Sequence, residues 1–250
     1  MGRRKIFAGN WKMYKTHDEA AALVKALMEG IGGISGKEIA VFPPSPYIRD
    51  ISLICKGKID TGVQNIYFEN EGAFTGEVAP KMAKDCGCRY ALIGHSERRH
   101  VFKETDEDVN KKVIAALANG LDPMVCVGEL LEEREKGETN AVIKKQIDHA
   151  FKNISKEQMK SVVIAYEPVW AIGTGKVATP EMAEEVHKYT RELISNLYGK
   201  DTAESVPVLY GGSVKPDNIS GLMLKENIDG VLVGGASLKA DSFLDIIKVK

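Results

Sequence analysis

The sequence predicts an α/β protein folded as a single (β/α)8 barrel over residues 1–250, and three observations support this prediction. Apolar runs rich in β-branched residues recur eight times along the chain. Most of these runs are continuously apolar, which is typical of strands buried on both faces of a parallel sheet. Helical patterns lie between many of them, and eight strand–helix repeats in about 250 residues match a closed barrel.

The predicted elements extend along nearly the whole chain, with no linker or change of composition that would divide it into two domains. The strands are Lys5–Ala8, Glu38–Phe42, Ile59–Val63, Arg89–Ile93, Asp122–Val127, Val162–Tyr166, Val206–Tyr210 and Ile228–Val233. Thr16 and Glu19 form a capping box ahead of a helix at Ala20–Met28, which Gly30 can end. The other predicted helices are Asp106–Ala118 after Thr105, Glu181–Leu197 between Thr179-Pro180 and Gly199, and the charge-rich segment Leu130–Phe151.

An open, doubly wound sheet is the competing parallel architecture. A dinucleotide-binding sheet of that kind carries G-x-G-x-x-G after its first strand. The first strand here runs instead into Gly9-Asn10-Trp11-Lys12. A Walker A pattern also fails, because neither Lys37 nor Lys176 is followed by Ser or Thr. The sequence therefore favours the closed barrel.

Composition and charge argue against several classes of protein. The formal net charge is −1 and no basic stripe is present, so we expect no nucleic-acid partner. The four cysteines form no C-x-x-C pair and no histidine cluster stands near them at metal-ligand spacing, so we expect no metal. No apolar run approaches the about 18 residues of a membrane helix, and the N-terminus lacks the apolar core of a signal peptide. We therefore expect a cytoplasmic protein that does not bind a membrane.

Chemically useful side chains follow the predicted strands. In a barrel of this kind the segments after the strands build the active site. These positions hold a carboxylate, an imidazole, a cation and two glycine turns. Together these groups predict a proton-transfer site with a phosphate-binding site beside it. They are Asn10 and Lys12 after strand 1, His95 and Glu97 after strand 4, Glu167 after strand 6, Gly211-Gly212-Ser213 after strand 7 and Gly234-Gly235 after strand 8.

Five segments at these strand ends are specific enough to indicate a family. They are AGNWKM (8–13), GHSERR (94–99), AYEPVWAIGTG (165–175), YGGSV (210–214) and VGGAS (233–237). In these segments, and from about Lys5 to Leu238, the chain resembles the triosephosphate isomerase family. The resemblance implies a TIM barrel and a cofactor-free isomerase of glycolysis and gluconeogenesis. Its reaction interconverts dihydroxyacetone phosphate and D-glyceraldehyde 3-phosphate by proton transfer through an enediolate.

The resemblance and the chemistry of the side chains together give the catalytic residues their expected roles. Glu167 is expected to be the base, because the proline after it favours extended geometry at the strand end. A helix N-terminus disfavours the imidazolium, so a neutral His95 would donate a hydrogen bond to the substrate carbonyl, as the resemblance also implies. Lys12 is expected to stabilise the oxyanion and the phosphate, with Asn10 orienting it or donating to substrate. Glu97 is expected either to pair with Lys12 or to shuttle a proton.

Backbone amides are expected to hold the phosphate, since the two glycine turns lack side chains that would block close approach. The expected substrate-binding residues are Asn10, Lys12, Gly173, Ser213, Gly234 and Gly235. A stretch with apolar side chains and two glycines follows the base and is expected to close over the substrate and exclude water. This lid comprises Pro168, Val169, Trp170, Ala171, Ile172, Gly173, Thr174, Gly175, Lys176, Val177 and Ala178.

The segment from Asn65 to Ala79 is long for a barrel loop, and Ile66 and Phe74 are among the apolar side chains it is expected to expose. Exposed apolar residues on a long loop indicate an interface. The resemblance implies a homodimer in which Thr75 reaches the site of the neighbouring subunit. The expected interface residues are Asn65, Phe74, Thr75 and Gly76.

Two other functions compete with this interpretation. A Schiff-base aldolase on the same barrel requires a desolvated lysine at its centre, whereas strand 6 ends in Glu167. A noncatalytic phosphate-binding barrel would keep the glycine turns and lack the base or the electrophile, and both are present here. Cys126, after strand 5, is expected to be packing support rather than a nucleophile, because no adjacent base would activate its thiol.

Overall fold

The eight predicted strands close into one parallel barrel, which confirms the predicted fold class. The computed structural model describes residues 2–172 and 178–249. Each strand pairs in parallel with the next, and the last strand pairs with the first. The strands are β1 (Ile6–Asn10), β2 (Glu38–Phe42), β3 (Asp60–Val63), β4 (Tyr90–Ile93), β5 (Asp122–Val127), β6 (Val163–Tyr166), β7 (Val208–Tyr210) and β8 (Gly230–Val233).

Helices connect the strands and pack around the barrel. They are α1 (His17–Gly30), α2 (Ile48–Cys55), α3 (Pro80–Asp85), α4 (Ser96–His100), α5 (Asp106–Ala118), α6 (Leu131–Glu135), α7 (Thr139–Ala150), α8 (Lys156–Met159), α9 (Pro180–Tyr198), α10 (Lys200–Ala203), α11 (Ile219–Met223) and α12 (Ala240–Ile247). Single 3-10 turns cover Ser45–Tyr47, Val169–Ala171 and Gly235–Leu238. Over the described ranges, none of the helices combines the length and the apolar character needed to cross a membrane.

The bounds of two helical segments differ from the prediction for local reasons. The backbone N–H of Thr16 donates to the Glu19 carboxylate over 2.7 Å, so the capping box starts α1 immediately after Thr16 and three residues before the predicted start. The charge-rich segment 130–151 contains two helices instead of one. Gly137, with a φ of +74°, turns the chain between α6 and α7. Glycine adopts this left-handed conformation without the strain that a side chain would add.

Side chains of alternate strand residues fill the barrel interior. Gly62 of β3 leaves room for the Phe42 ring, since an added Cβ would lie 2.2 Å from that ring. The strand residues that alternate with these point outward and pack against the helices in a second, larger cluster. Because both faces of the strands are covered, the barrel is a packed core and not a pore. The inward-facing residues are Ile6, Ala8, Ala40, Phe42, Tyr90, Leu92, Met124, Cys126, Val163, Ala165, Leu209 and Leu232.

A buried carboxylate fastens the end of the barrel where the strands begin. Asp229 directly precedes β8 and is fully buried. Its carboxylate lies 2.7 Å from Arg191 Nη2, 2.8 Å from Arg3 Nε and 3.3 Å from Lys5 Nζ. It also accepts a hydrogen bond from the backbone N–H of Val208 over 3.1 Å. This Asp229 cluster (Arg3, Lys5, Arg191 and Asp229) therefore ties the N-terminal segment, α9, β7 and β8 together.

Candidate active site

A cleft with a volume of about 560 Å³ opens where the strands end. Parallel strands of a barrel all end at the same rim, so residues that are far apart in sequence converge there. The cleft brings together side chains and glycine turns that follow β1, β4, β6, β7 and β8. The residues predicted from the sequence that line it are Asn10, Lys12, His95, Glu167, Ile172, Gly211, Gly212, Ser213, Gly234 and Gly235.

Glu167 follows β6 directly, and its carboxylate is buried in the wall of the cleft. The residue is 2% exposed. One carboxylate oxygen, Oε2, accepts a hydrogen bond from the backbone N–H of Ser96 over 3.0 Å. The other, Oε1, lies 3.2 Å from His95 Nε2. A carboxylate that is shielded from bulk water and reaches into a cleft suits proton abstraction from a bound carbon acid.

The hydrogen bonds of His95 assign its tautomer. His95 is the N-cap of α4, and its Nδ1 accepts a hydrogen bond from the backbone N–H of Glu97 over 3.2 Å. Nδ1 therefore carries no proton, and the proton of a neutral ring lies on Nε2, which faces Glu167. The Glu97 carboxylate is 3.6 Å from Nδ1, which is too long for a hydrogen bond. A neutral imidazole that presents Nε2–H to the cleft can polarise a carbonyl oxygen.

Lys12 has an unusual backbone conformation that its neighbours hold in place. Its φ is +52°, which is uncommon for a residue other than glycine. Its N–H donates to Asn10 Oδ1 over 3.0 Å, and its carbonyl accepts from Gln64 Nε2 over 2.8 Å. The ammonium Nζ lies 2.6 Å from Glu97 Oε1. Glu97 is thus the ion-pair partner of Lys12 in the structure.

The two glycine turns also line the cleft. Gly211 continues the pairing of β6 and β7, because its N–H donates to the carbonyl of Tyr166 over 2.7 Å. The second turn leads into the 3-10 turn Gly235–Leu238, and the first N–H groups of a helical turn have no partner within it. Lys215 and Lys239 also line the cleft. Sequence reasoning missed both lysines, although each follows a predicted glycine turn within a few residues.

The segment after Glu167 is anchored to the loop after β5. The backbone N–H of Val169 donates to the Glu129 carbonyl over 3.2 Å, and Trp170 Nε1 donates to the Glu129 carboxylate over 2.9 Å. The Tyr166 hydroxyl donates to the same carboxylate over 3.1 Å. Ile172 lines the cleft. The remaining predicted lid residues Gly173, Thr174, Gly175, Lys176 and Val177, among them the predicted phosphate contact Gly173, lie outside the described residues.

A second depression, of about 350 Å³, adjoins the cleft and is lined in part by Asn65 and Gly76. Phe74 is 41% exposed, and Thr75 beside it is also exposed. The expectation that Ile66 is exposed is wrong, because its side chain is fully buried in the outer core cluster. A loop pattern alone does not distinguish the apolar residue that anchors a loop from those that the loop presents.

Cys126 lies beneath the base, at the end of β5. Burial raises the pKa of its thiol well above the usual value, and the neighbouring Glu167 carboxylate raises this pKa further. The thiol therefore stays protonated and is not a nucleophile. Within the parts of the chain that the structure describes, no group of three or more His, Cys, Asp or Glu side chains is arranged to hold a metal ion.

Comparisons with known proteins agree with this geometry. The family model described as triosephosphate isomerase matches residues 5–250. The triosephosphate isomerase of Carboxydothermus hydrogenoformans is 52% identical over 247 residues, which cover 98% of each chain. That of Caldanaerobacter subterraneus subsp. tengcongensis is 54% identical over 246 residues, which cover 98% of this chain and 99% of the relative. The chain therefore belongs to the triosephosphate isomerase family.

Proposed function

We propose that this cleft carries out the family's reaction, the cofactor-free interconversion of dihydroxyacetone phosphate and D-glyceraldehyde 3-phosphate, with Glu167 as the base and His95 as the electrophile. One observation supports this assignment above the others. The Glu167 carboxylate and Nε2 of His95 lie 3.2 Å apart in a cleft that two glycine turns also line. A base, a neutral hydrogen-bond donor and a phosphate site thus share one small cavity.

The proposed reaction moves one proton between neighbouring carbons. Substrate enters between Glu167 and His95, so that its carbonyl oxygen accepts a hydrogen bond from Nε2–H of His95. Glu167 removes a proton from the carbon beside the carbonyl, and the electron pair of that C–H bond forms the enediolate. His95 and the Lys12 ammonium stabilise the negative charge that develops on oxygen. His95 gives its Nε2 proton to that oxyanion and recovers a proton from the hydroxyl on the deprotonated carbon, whose oxygen becomes the new carbonyl. Protonated Glu167 returns its proton to the former carbonyl carbon, so no group is consumed.

The phosphate is proposed to bind at the wall formed by Ser213, Gly234 and Gly235, with Lys12 between it and the reacting carbons. All four residues line the cleft. The phosphate does not react, so its binding energy can help to hold the reacting carbons against the base. We propose in addition that Gly173 donates to the phosphate when the lid closes.

Turnover of glyceraldehyde 3-phosphate in a coupled assay tests the proposal directly. We expect full activity after treatment with a chelator and with no added coenzyme. Near-zero activity in a folded sample would rule the proposal out. Borohydride treatment in the presence of substrate tests the aldolase alternative, since only a Schiff base would be trapped as a covalent adduct.

Gly211→Ala is expected to lower kcat by displacing the base. A Cβ at this position would lie 2.8 Å from Glu167 Cγ, so the carboxylate must shift. A misplacement of about 1 Å can reduce catalysis by about 10²-fold. Gly221→Ala is the matched control, because its Cβ would meet only Pro180 Cγ, at 3.3 Å. Steady-state kinetics of the two variants check the prediction, and equal kcat values would contradict it.

We propose that the chain forms a homodimer through Asn65, Phe74, Thr75 and Gly76. Exposed apolar side chains border the second depression, since Met13 is 94% exposed and Phe102 is 66% exposed. The loop of a second copy that carries Phe74 and Thr75, both exposed, is proposed to fill this depression. Residues 1–250 are proposed to be one domain, and the family's glycolytic reaction supports a cytoplasmic location.

Phe102→Asp is expected to dissociate this dimer, because it places an unpaired charge in an apolar interface. Light scattering should give twice the 27.3 kDa chain mass for the unaltered protein and a lower mass for the variant. Leu224→Asp is the control, since Leu224 is 84% exposed and lies after α11, away from the depression. An unaltered protein that is monomeric at high concentration would contradict the proposed dimer.

A further inference from the structure

Gln146 of α7 pairs with the backbone of a residue beside the catalytic glutamate. Its Oε1 accepts a hydrogen bond from the Gly128 N–H over 2.8 Å, and its Nε2 donates to the Gly128 carbonyl over 3.1 Å. Gln146 is 8% exposed and both bonds are buried. An amide that engages the N–H and the C=O of one residue at once fixes both the place and the orientation of that residue.

Gly128 is in direct contact with the backbone that carries the base. A Cβ at Gly128 would lie only 1.7 Å from the Glu167 carbonyl oxygen, so no side chain fits between these two backbone segments. The carbonyl of Val127, the residue before Gly128, accepts a hydrogen bond from the Glu167 N–H over 2.7 Å. The residue after Gly128 accepts the Val169 N–H over 3.2 Å. Val127, Gly128 and Glu129 thus form a three-residue platform that positions Glu167, with Gly128 at its centre.

We propose that Gln146 is a positioning residue for the isomerisation, acting through Gly128 to fix the backbone from which Glu167 reaches the substrate. The inference rests on the proposed function. Among the described residues that line the cleft, Gln146 is absent, so its effect passes through the platform and not through contact with substrate. The proposed phosphate contacts follow β7 and β8 instead. Loss of the two Gln146–Gly128 hydrogen bonds should therefore alter the chemical step more than it alters substrate binding.

Gln146→Met tests this separation, because methionine is similar in size and forms neither hydrogen bond. We expect kcat to fall by about 10-fold to 10²-fold, since a small misplacement of the base has an effect of this order. KM should stay close to that of the unaltered enzyme. Kinetics are measured per folded molecule, with the folded fraction taken from circular dichroism at the assay temperature.

Gln146→Glu gives a pH signature that a purely structural residue would not show. The ionised carboxylate accepts from the Gly128 N–H but repels the Gly128 carbonyl oxygen. The protonated carboxyl both accepts and donates, as the amide does. We therefore expect the ratio of variant to unaltered kcat to rise as the pH falls through the pKa of the new carboxyl group, which burial raises.

Ile147→Val is the matched control on the same helix, because Ile147 is fully buried in the core and forms no side-chain hydrogen bond. It should lower the Tm without lowering kcat. The inference is overturned if Gln146→Met keeps the kcat of the unaltered enzyme, or if its kcat falls only in proportion to the unfolded fraction. An inactive unaltered enzyme would instead refute the proposed function, so the two failures can be told apart.

Discussion

The Glu167→Gln variant is expected to lose about 10²-fold to 10⁴-fold in kcat, the usual contribution of a positioned general base. Glutamine has nearly the same shape as glutamate but cannot accept a proton from carbon. Its carbonyl oxygen can still accept the hydrogen bond that Ser96 N–H donates to Glu167 over 3.0 Å. The fold and the phosphate wall should therefore be preserved, and the loss should fall on the proton transfer.

Kinetics and ligand binding together check this prediction. Binding of inorganic phosphate, measured by calorimetry, should stay close to that of the unaltered protein. Glu192→Gln is the control, because this substitution makes the same chemical change away from the cleft. Glu192 lies on the exposed surface of α9. Retention of full kcat in the Glu167 variant would remove that residue from its proposed role.

Asp229→Ala is expected to cause the largest loss of stability, about 3–5 kcal/mol in the free energy of unfolding. The Asp229 carboxylate lies 2.7 Å from the Arg191 guanidinium, and the Arg191 side chain is only 8% exposed. The substitution removes this carboxylate and leaves the guanidinium buried without a charged partner there. Burial already lowers the pKa of Arg191, and the Asp229 carboxylate opposes that shift. For a chain of this size each kcal/mol corresponds to roughly 2–4 °C, so the Tm should fall by about 10 °C.

Denaturant and thermal unfolding measure this effect against a surface ion pair. Lys144→Ala breaks the Lys144–Asp148 pair of α7, whose side chains are 55% and 38% exposed, and should change stability by less than about 1 kcal/mol. Below its Tm the Asp229 variant should keep nearly full kcat, because the Asp229 cluster lies at the end of the barrel away from the cleft. An equal effect of the two substitutions on stability would contradict this account.

The architecture could be predicted from the sequence because strands buried on both faces leave a local signal. The continuous apolar run Asp122–Val127 was predicted with the bounds that the structure shows. The site followed from topology, since parallel strands bring their ends to one rim, and so residues as distant as Asn10 and Glu167 could be assigned to one cleft.

Other features depend on contacts that no local pattern encodes. The left-handed backbone of Lys12 is supported by Gln64, from another strand end, and the Gly128 backbone is held by Gln146, from a helix. The burial of Ile66 cannot be predicted from the loop pattern, because the packing beneath the loop determines which of its residues points into the core. Such features require the positions of elements that are distant in sequence.

The position of His95 Nε2 beside the Glu167 carboxylate also has a consequence for selectivity. In the structure His95 Nε2 lines the buried end of the cleft, 3.2 Å from a Glu167 carboxylate oxygen. An analogue that displaces this carboxylate without offering an oxygen of its own would leave a buried donor unpaired, which costs about 1–3 kcal/mol. A site built in this way discriminates against deoxygenated sugar phosphates before any bond is broken, even where their phosphate fits the glycine turns equally well.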